Sequence, residues 1–144
     1  DWKITASDLS KDALSLAAEN AQFCGLNLTL VQSDCLDAIQ GKFDIIASNP
    51  PYISEEDKDE VGLNVLTSEP HMALFAEEDG YEVYGKIAEQ AGDYLTEKGK
   101  IYLEIGYKQG DGVVDLLKQF FPQKRIRVLK DQFGKDRMVA MDNG

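Results

Sequence analysis

The tetrapeptide Asn49-Pro50-Pro51-Tyr52 is the segment of this 144-residue chain best suited to chemistry. It follows residues 43–48, a short apolar run typical of a β-strand. Each proline fixes φ and lacks an N–H, so the turn after the strand is stiff and its carbonyl groups point in set directions. Such an acceptor-rich turn suits binding of a planar NH₂ group, with the tyrosine ring stacking on it. A plain proline turn that ends the strand is the alternative interpretation.

Three predicted strands and one predicted helix alternate in the first fifty residues. The strands span residues 3–8, 28–32 and 43–48, and each ends in a polar residue. Ser10 is a suitable N-cap for the helix, and Gly25 suits its end. Four apolar residues at helical spacing form its predicted core face: Leu14, Ala17, Ala18 and Ala21. This alternation favours an α/β fold, with a mostly parallel sheet and helices on both of its faces.

The second half of the chain returns to regular patterns after a long acidic segment. Residues 53–80 show no clear period, so we expect a substrate-side loop with short helical pieces. A helical stripe from Tyr84 to Leu95 follows, then a turn at 97–99, a strand over 100–105 and a helix that ends near Pro122. Two closing strands, 125–130 and 137–141, are joined by Asp and Gly residues, which predicts an antiparallel pair.

Composition excludes several classes of protein. The net charge of −11 counts against a surface for double-stranded nucleic acid, which needs a basic patch. No apolar run approaches the length of a membrane span, so no membrane partner is expected. Cys24, Cys35 and His71 form no metal-ligand pattern. We therefore expect one cytoplasmic domain over residues 1–144, with two free, buried thiols and no bound metal.

Polar residues at the strand ends define a candidate ligand site. In an open α/β sheet, ligands bind beyond the carboxyl ends of the strands, so Asp8, Asp34 and Asn49 are expected to converge there. A carboxylate in the position of Asp8 suits bidentate hydrogen bonds to ribose hydroxyls. Asp34 is placed to accept from an exocyclic amine such as that of adenine. Each aspartate alone is a weak signal, because strand ends often carry a capping aspartate.

With these features together, the sequence resembles the S-adenosylmethionine-dependent methyltransferases. Among them it is similar to the release-factor glutamine methyltransferase family. The tetrapeptide is also shared with enzymes that methylate adenine N6 or guanine N2. The narrower resemblance rests on segments along nearly the whole chain: Asp8-Leu9-Ser10, Asn20-Ala21, Glu69-Pro70, Asp79-Gly80, Glu104-Ile105-Gly106 and Asp136-Arg137.

The resemblance implies a class I, Rossmann-like methyltransferase fold with an antiparallel strand at its C-terminal end, and S-adenosylmethionine as cofactor. It implies that Asp8 binds the cofactor ribose and that Asp34 and Cys35 border the adenine. It places Asn49 near the sulfonium end.

For the substrate, the resemblance implies a glutamine-bearing loop of a peptide chain release factor. The Asn49 side-chain oxygen and the Pro50 carbonyl would accept from the glutamine NH₂, with Pro51 completing the turn and Tyr52 packing on the amide plane. An amide nitrogen is a poor nucleophile because its lone pair is delocalised. Catalysis would therefore consist of positioning and electrostatic stabilisation, and we assign no general base.

The resemblance also implies that the chain is the C-terminal part of a catalytic domain, because the family's first strand and Gly-rich loop would precede Asp1. We therefore expect the chain alone to bind S-adenosylmethionine weakly or not at all. Open strand edges predict pairing of neighbouring strands or self-association. Two other hypotheses remain at this stage: a nucleic-acid amino-methyltransferase, and a folded remnant without catalytic activity.

Overall fold

The computed structural model describes residues 2–49 and 82–144. Pro50, Pro51, Tyr52 and the predicted loop over 53–80 lie outside the described residues. The chain divides into two compact units, Asp1–Gly41 and Lys42–Gly144, here called the N-terminal unit and the C-terminal unit. Their strands form a two-stranded and a four-stranded sheet, which confirms the α/β class with parallel and antiparallel pairs. That both units belong to one domain stays a prediction.

The N-terminal unit is a strand-helix-strand motif. It contains β1 (Thr5–Asp8), α1 (Lys11–Phe23) and β2 (Thr29–Gln32), and the two strands pair in parallel. Ser10 caps α1 as predicted, because its Oγ accepts from the Ala13 backbone N–H at 3.2 Å. The predicted helix end is confirmed as well, since Gly25 follows the helix at φ +69°, a left-handed conformation that favours glycine.

The predicted core face of α1 is only partly buried. Ala21 is buried, whereas Leu14 and Ala17 are half-buried. Ala18 is exposed, so its assignment to the core is wrong. The expected burial of the thiols is wrong as well, since Cys24 is exposed and Cys35 is half-buried. Helical spacing identifies an apolar stripe, but how much of the stripe is buried depends on how much surface packs against it. A sheet of two short strands offers little such surface.

The C-terminal unit contains two helices and four strands. Its elements in chain order are β3 (Phe43–Ser48), α2 (Glu82–Ala91), β4 (Leu95–Glu104), α3 (Gly110–Phe120), β5 (Arg125–Lys130) and β6 (Asp136–Asp142). The sheet order is β3-β4-β6-β5, with β3 parallel to β4 and both remaining pairs antiparallel. The predicted bounds of β3 and β5 and the antiparallel closing pair are confirmed. In the described part of the chain, no helix is long and apolar enough to cross a membrane.

The core of the C-terminal unit lies around β4. Ile101 and Leu103 of β4 and Ile105 after it are fully buried. Burying side chains of this size stabilises the fold by about 1.5–3 kcal/mol each. The helices add further buried residues: Tyr84, Ile87, Ala88 and Ala91 of α2, which lie in the predicted stripe, and Val113 and Leu117 of α3.

The structure corrects the predicted boundary between α2 and β4. The helical stripe was predicted to reach Leu95, but α2 ends at Ala91 and Leu95 begins β4. Leu95 is buried from the strand instead. The predicted turn at 97–99 is an irregularity within β4, where the register with β3 shifts. Gly99 permits this shift, because a Cβ there would lie 2.7 Å from a Leu95 methyl carbon and 2.9 Å from the Thr96 carbonyl oxygen.

A single carboxylate organises the hairpin between β5 and β6. Asp131 Oδ1 accepts from the backbone N–H of Phe133 at 2.8 Å and of Lys135 at 3.1 Å, and Gly134 adopts φ +79°. Arg137 donates to the other carboxylate oxygen at 3.2 Å. The Lys135 N–H is the largest cause that lowers the pKa of Asp131, and the Phe133 N–H and Arg137 add to it. The turn therefore depends on an ionised aspartate.

Asp142 anchors the other end of the same hairpin. Its carboxylate accepts from Arg125 Nε at 2.9 Å and Nη2 at 3.0 Å, from Arg127 at 3.3 Å, and from the Gly144 N–H at 2.9 Å. The Arg125 hydrogen bonds are the main cause that holds the pKa of Asp142 well below its usual range. The guanidinium and carboxylate form a bidentate pair, the geometry in which such ion pairs are strongest.

We predict that Asp142→Asn lowers the melting temperature at pH 7 by a few degrees. Because the folded-state pKa of Asp142 is depressed, its contribution is present above the unfolded pKa of about 4 and is lost as the pH falls further. Thermal unfolding of both proteins between pH 2 and pH 8 measures this, and the two curves should converge at low pH. A difference that stays constant down to pH 2 would contradict the prediction.

Candidate functional site

Asp8 stands at the carboxyl end of β1 and is exposed. Its Oδ1 accepts from the Ser10 backbone N–H at 2.8 Å, which directs the chain into α1. Its backbone oxygen accepts from the Ser33 N–H at 3.1 Å. Parallel pairing of β1 with β2 therefore places Asp8 beside the loop that follows β2. The carboxylate has both a structural hydrogen bond and an exposed position.

The loop that follows β2 is held by a residue that sequence reasoning did not single out. Ser33 is buried, and its Oγ donates to the Cys35 carbonyl oxygen at 2.9 Å and accepts from the Ala38 N–H at 2.9 Å. The Asp34 carbonyl oxygen accepts from the Asp37 N–H at 3.1 Å. The available signal was a serine directly after an apolar strand, a position where hydroxyls often bond to nearby backbone.

Cys35 adopts φ +54°, and it is the one residue other than glycine with positive φ in the described ranges. For a side chain with a Cβ this conformation costs about 1–2 kcal/mol. The two hydrogen bonds of Ser33 hold the loop in this shape. Strained backbone of this kind persists where the surroundings over-determine it, and it clusters at ligand sites.

The N-terminal unit therefore brings together three of the residues predicted to bind a cofactor. Asp8, Asp34 and Cys35 lie at one edge, on the carboxyl side of two neighbouring parallel strands. A carboxylate beside a rigid, partly exposed loop fits the adenosine portion of a nucleoside cofactor: the carboxylate suits the ribose hydroxyls, and the loop suits the base.

The C-terminal unit places Asn49 at the carboxyl end of β3. Asn49 is exposed and directly follows Ser48, whose partner on β4 is Leu103. The asparagine therefore lies beside the carboxyl end of β4. The predicted meeting of Asn49 with Asp8 and Asp34 stays a prediction, because these residues belong to different units.

Buried hydrogen bonds fix the end of β4 next to Asn49. The hydroxyl of Tyr84 donates to the Glu104 carbonyl oxygen at 2.7 Å. The buried side chain of Gln109 accepts from the Gly106 N–H at 3.1 Å, and the Ile105 N–H donates to the Arg137 carbonyl oxygen at 2.9 Å. Sequence analysis assigned Tyr84 only to a core stripe. The sequence offered one signal for this hydrogen bond: a tyrosine in an apolar helical stripe, whose hydroxyl needs a partner when it is buried.

The arrangement favours chemistry by positioning. An amide on a fixed strand end can accept and donate hydrogen bonds to a planar substrate group. Within residues 2–49 and 82–144, no group of three or more His, Cys, Asp or Glu side chains could hold a metal ion.

Solved structures with a similar fold are methyltransferases. A methyltransferase from Pyrococcus furiosus superposes with a TM-score of 0.66 at 22% identity, over 99% of this chain and 63% of that one. An S-adenosylmethionine-dependent methyltransferase from Clostridium acetobutylicum gives a TM-score of 0.61 at 14% identity, over 99% and 76% of the two chains. At these identities the likeness shows the fold, which is the methyltransferase fold that the sequence predicts. The chain belongs to the methyltransferase small domain family, whose model matches residues 1–74.

Individual relatives show which methyltransferases this chain is similar to in sequence. The release factor glutamine methyltransferase of Streptococcus pneumoniae is 60% identical over 144 residues, which are 100% of this chain and 52% of the relative. The protein of the same name from Lactococcus lactis is 51% identical over 98% of this chain and 52% of its own length. The resemblance inferred from the sequence is confirmed. The chain spans about half the length of these relatives.

Proposed function

We propose that this chain is part of an enzyme that transfers a methyl group from S-adenosylmethionine to the side-chain nitrogen of a glutamine in peptide chain release factors. The observation that carries this proposal is the 60% identity, over the whole length of the chain, to a protein named for that activity. The position of Asn49 at the end of β3 adds support, because it is where the predicted substrate turn begins.

The N-terminal unit would hold the adenosine portion of the cofactor. The Asp8 carboxylate would accept from the ribose hydroxyls, and the loop of Asp34 and Cys35 would border the adenine. S-adenosylmethionine supplies a methyl group on a sulfonium, so the protein needs no nucleophile of its own. In this proposal both units form one catalytic domain, and Asn49 lies near the sulfonium.

The substrate turn would orient the glutamine. The Asn49 oxygen and the Pro50 carbonyl would accept from the two N–H groups of the amide, while Pro51 stiffens the turn and Tyr52 packs on the amide plane. Hydrogen bonds to both N–H groups raise electron density on nitrogen and direct it at the methyl group. Tyr84 and Gln109 would act through β4, by fixing the strand end beside Asn49.

The partner would be the glutamine-bearing loop of a release factor. The reaction would then take place in the cytoplasm. The tetrapeptide alone would also fit an adenine-N6 or guanine-N2 methyltransferase. The net charge of −11 disfavours that candidate, because nucleic-acid affinity depends on cationic contacts with phosphates. The relatives named for glutamine methylation favour the protein substrate.

Methyl transfer tests the proposal in a chimera in which this chain replaces the matching half of the Streptococcus pneumoniae relative. We expect the chimera to methylate a release factor on one glutamine, as detected by mass spectrometry. Asn49→Ala should lower the rate by about 10²–10³, because one positioned hydrogen bond in the transition state is lost. Asn27→Ala, at an exposed loop position, is the control and should retain full activity.

Near-normal turnover of the Asn49→Ala chimera would refute the assigned role of Asn49. Absence of glutamine methylation by the unmodified chimera would refute the proposed function itself.

Asp8→Asn in the chimera separates cofactor binding from local structure. The asparagine oxygen can still accept from the Ser10 N–H, so the start of α1 should be retained. The charge-assisted bonds to ribose would be lost, so we expect S-adenosylhomocysteine to bind about tenfold more weakly in calorimetry. Asp12→Asn, in the exposed first turn of α1, is the matched control. Equal dissociation constants for Asp8→Asn and the unmodified chimera would assign Asp8 to capping alone.

We also propose that the chain associates with itself. β3 is an edge strand of the four-stranded sheet, and its Ile45 is 41% exposed. An open, apolar strand edge invites pairing with another chain. We expect sedimentation velocity to show a concentration-dependent dimer of the 144-residue chain. Ile45→Lys should shift it to monomer and Ile45→Val should not, whereas a monomer at all concentrations would contradict this.

A further inference from the structure

Charge is distributed very unevenly along this chain. Residues 98–144 contain ten of the fifteen lysines and arginines but six of the 26 acidic residues. That segment therefore has a formal charge of +4, whereas residues 1–97 have −15. Asymmetry of this size between two parts of one chain indicates a surface for a negatively charged partner.

Four cations of the C-terminal unit form ion pairs on its closing hairpin. Arg125 and Arg127 pair with Asp142 at 2.9 and 3.3 Å. On the same hairpin, Lys130 pairs with Asp136 at 2.9 Å and Arg137 pairs with Asp131 at 3.2 Å. These ion pairs stabilise the hairpin.

Two lysines lie over an exposed aromatic ring. Lys108 Nζ lies 5.3 Å and Lys135 Nζ lies 4.9 Å from the centre of the Tyr107 ring, and both lysines are exposed. Tyr107 is 42% exposed, and Phe133, in the same hairpin turn as Lys135, is 77% exposed. We call these four residues the Tyr107 patch. Cations held over a ring combine positive charge with apolar area.

The patch lies at the edge of the sheet that carries Asn49. Tyr107 follows the carboxyl end of β4, and the turn of Phe133 and Lys135 precedes β6. The pairing of Glu104 with Met138 puts the end of β4 beside the start of β6. β3 and β6 flank β4 on its two sides, so their ends are about 10 Å apart at the usual strand spacing. A macromolecular substrate that reaches Asn49 would therefore pass close to the patch.

We propose that the Tyr107 patch docks an acidic segment of the substrate protein, one that carries at least one apolar side chain and flanks the methylated glutamine. This inference rests on the proposed function. Carboxylates of the segment would pair with Lys108 and Lys135, and its apolar side chain would cover Tyr107 and Phe133. Aromatic residues are enriched in protein interfaces, and tyrosine is among the residues that dominate their binding energy.

A peptide fits this patch better than a nucleic acid. Two lysines match one or two carboxylates, whereas a nucleic-acid strand carries a charge on every phosphate and needs a longer cationic track. The charge of −15 on residues 1–97 would also repel a polyanion, while a short acidic segment would interact mainly with the cations within a Debye length of about 8–10 Å.

The test is binding of the 144-residue chain to an intact peptide release factor at low ionic strength, measured by calorimetry. We expect the double variant Lys108→Glu/Lys135→Glu to bind about 5- to 20-fold more weakly, because two attractive contacts become repulsive. The control is Lys98→Glu/Lys118→Glu, which has the same net charge and changes two exposed lysines at the opposite edge of the sheet. The control should bind nearly as tightly as the unmodified chain.

Three results would overturn the docking proposal: equal weakening by both double variants, no weakening by either, or no binding of the release factor by the chain. A fourth result would be that the chain binds a single-stranded RNA oligonucleotide more tightly than the release factor and that the patch variant abolishes this RNA binding. Methylation of a short glutamine peptide by the chimera reports on the proposed function separately. If that peptide is methylated and the patch variant binds the release factor normally, the docking proposal fails and the proposed function stands.

Discussion

The C-terminal unit depends on the position of β4, which lies between two strands that run in opposite directions to each other. β3 runs parallel to it and β6 runs antiparallel. The buried side chains of Ile101, Leu103 and Ile105 hold β4 at the centre of the core, where a shift of one residue would turn an apolar set toward solvent. The end of β3, the end of β4 and the start of β6 therefore meet at one edge.

Side chains on or next to the two helices make that edge rigid. Tyr84 comes from α2 and bonds the backbone at the end of β4, while Gln109 precedes α3 and bonds the backbone of Gly106. Both side chains are buried, so losing either bond would leave a polar group without a partner. An enzyme that works by positioning an amide needs such support, because an error of 1 Å can cost about 10²-fold in rate.

The sequence predicted the elements whose signals are local. β3 was predicted with its observed bounds, because an apolar run ends at prolines, and the start of α1 was predicted from Ser10. Leu95 was assigned wrongly because its spacing continues the stripe of α2, although the chain leaves the helix after Ala91. The spacing of apolar residues alone cannot show where the helix ends, because that end depends on the pairing of β4 with β3.

The positions of Asp8, Asp34 and Asn49 at or just after strand ends were predictable, because each is a polar residue that follows an apolar run. The hydrogen-bond partners of Ser33 and Gln109 were not predicted, since those bonds form only in the folded chain, although a serine directly after an apolar strand was an available signal for Ser33. The positive φ of Cys35 is likewise invisible in the sequence, because cysteine shows no preference for that conformation.

The central claim, proposed above, is that Asp8, Asp34, Cys35 and Asn49 all serve one methyl-transfer reaction. Amide NMR of the chimera during titration with S-adenosylhomocysteine tests it most directly. The account predicts that the signals of Asp8, Asp34, Cys35 and Asn49 shift together along one saturation curve, while those of residues 97–99, at the opposite edge of the C-terminal sheet, stay fixed. Shifts in the N-terminal unit that leave Asn49 unchanged, or shifts centred on residues 97–99, would contradict it.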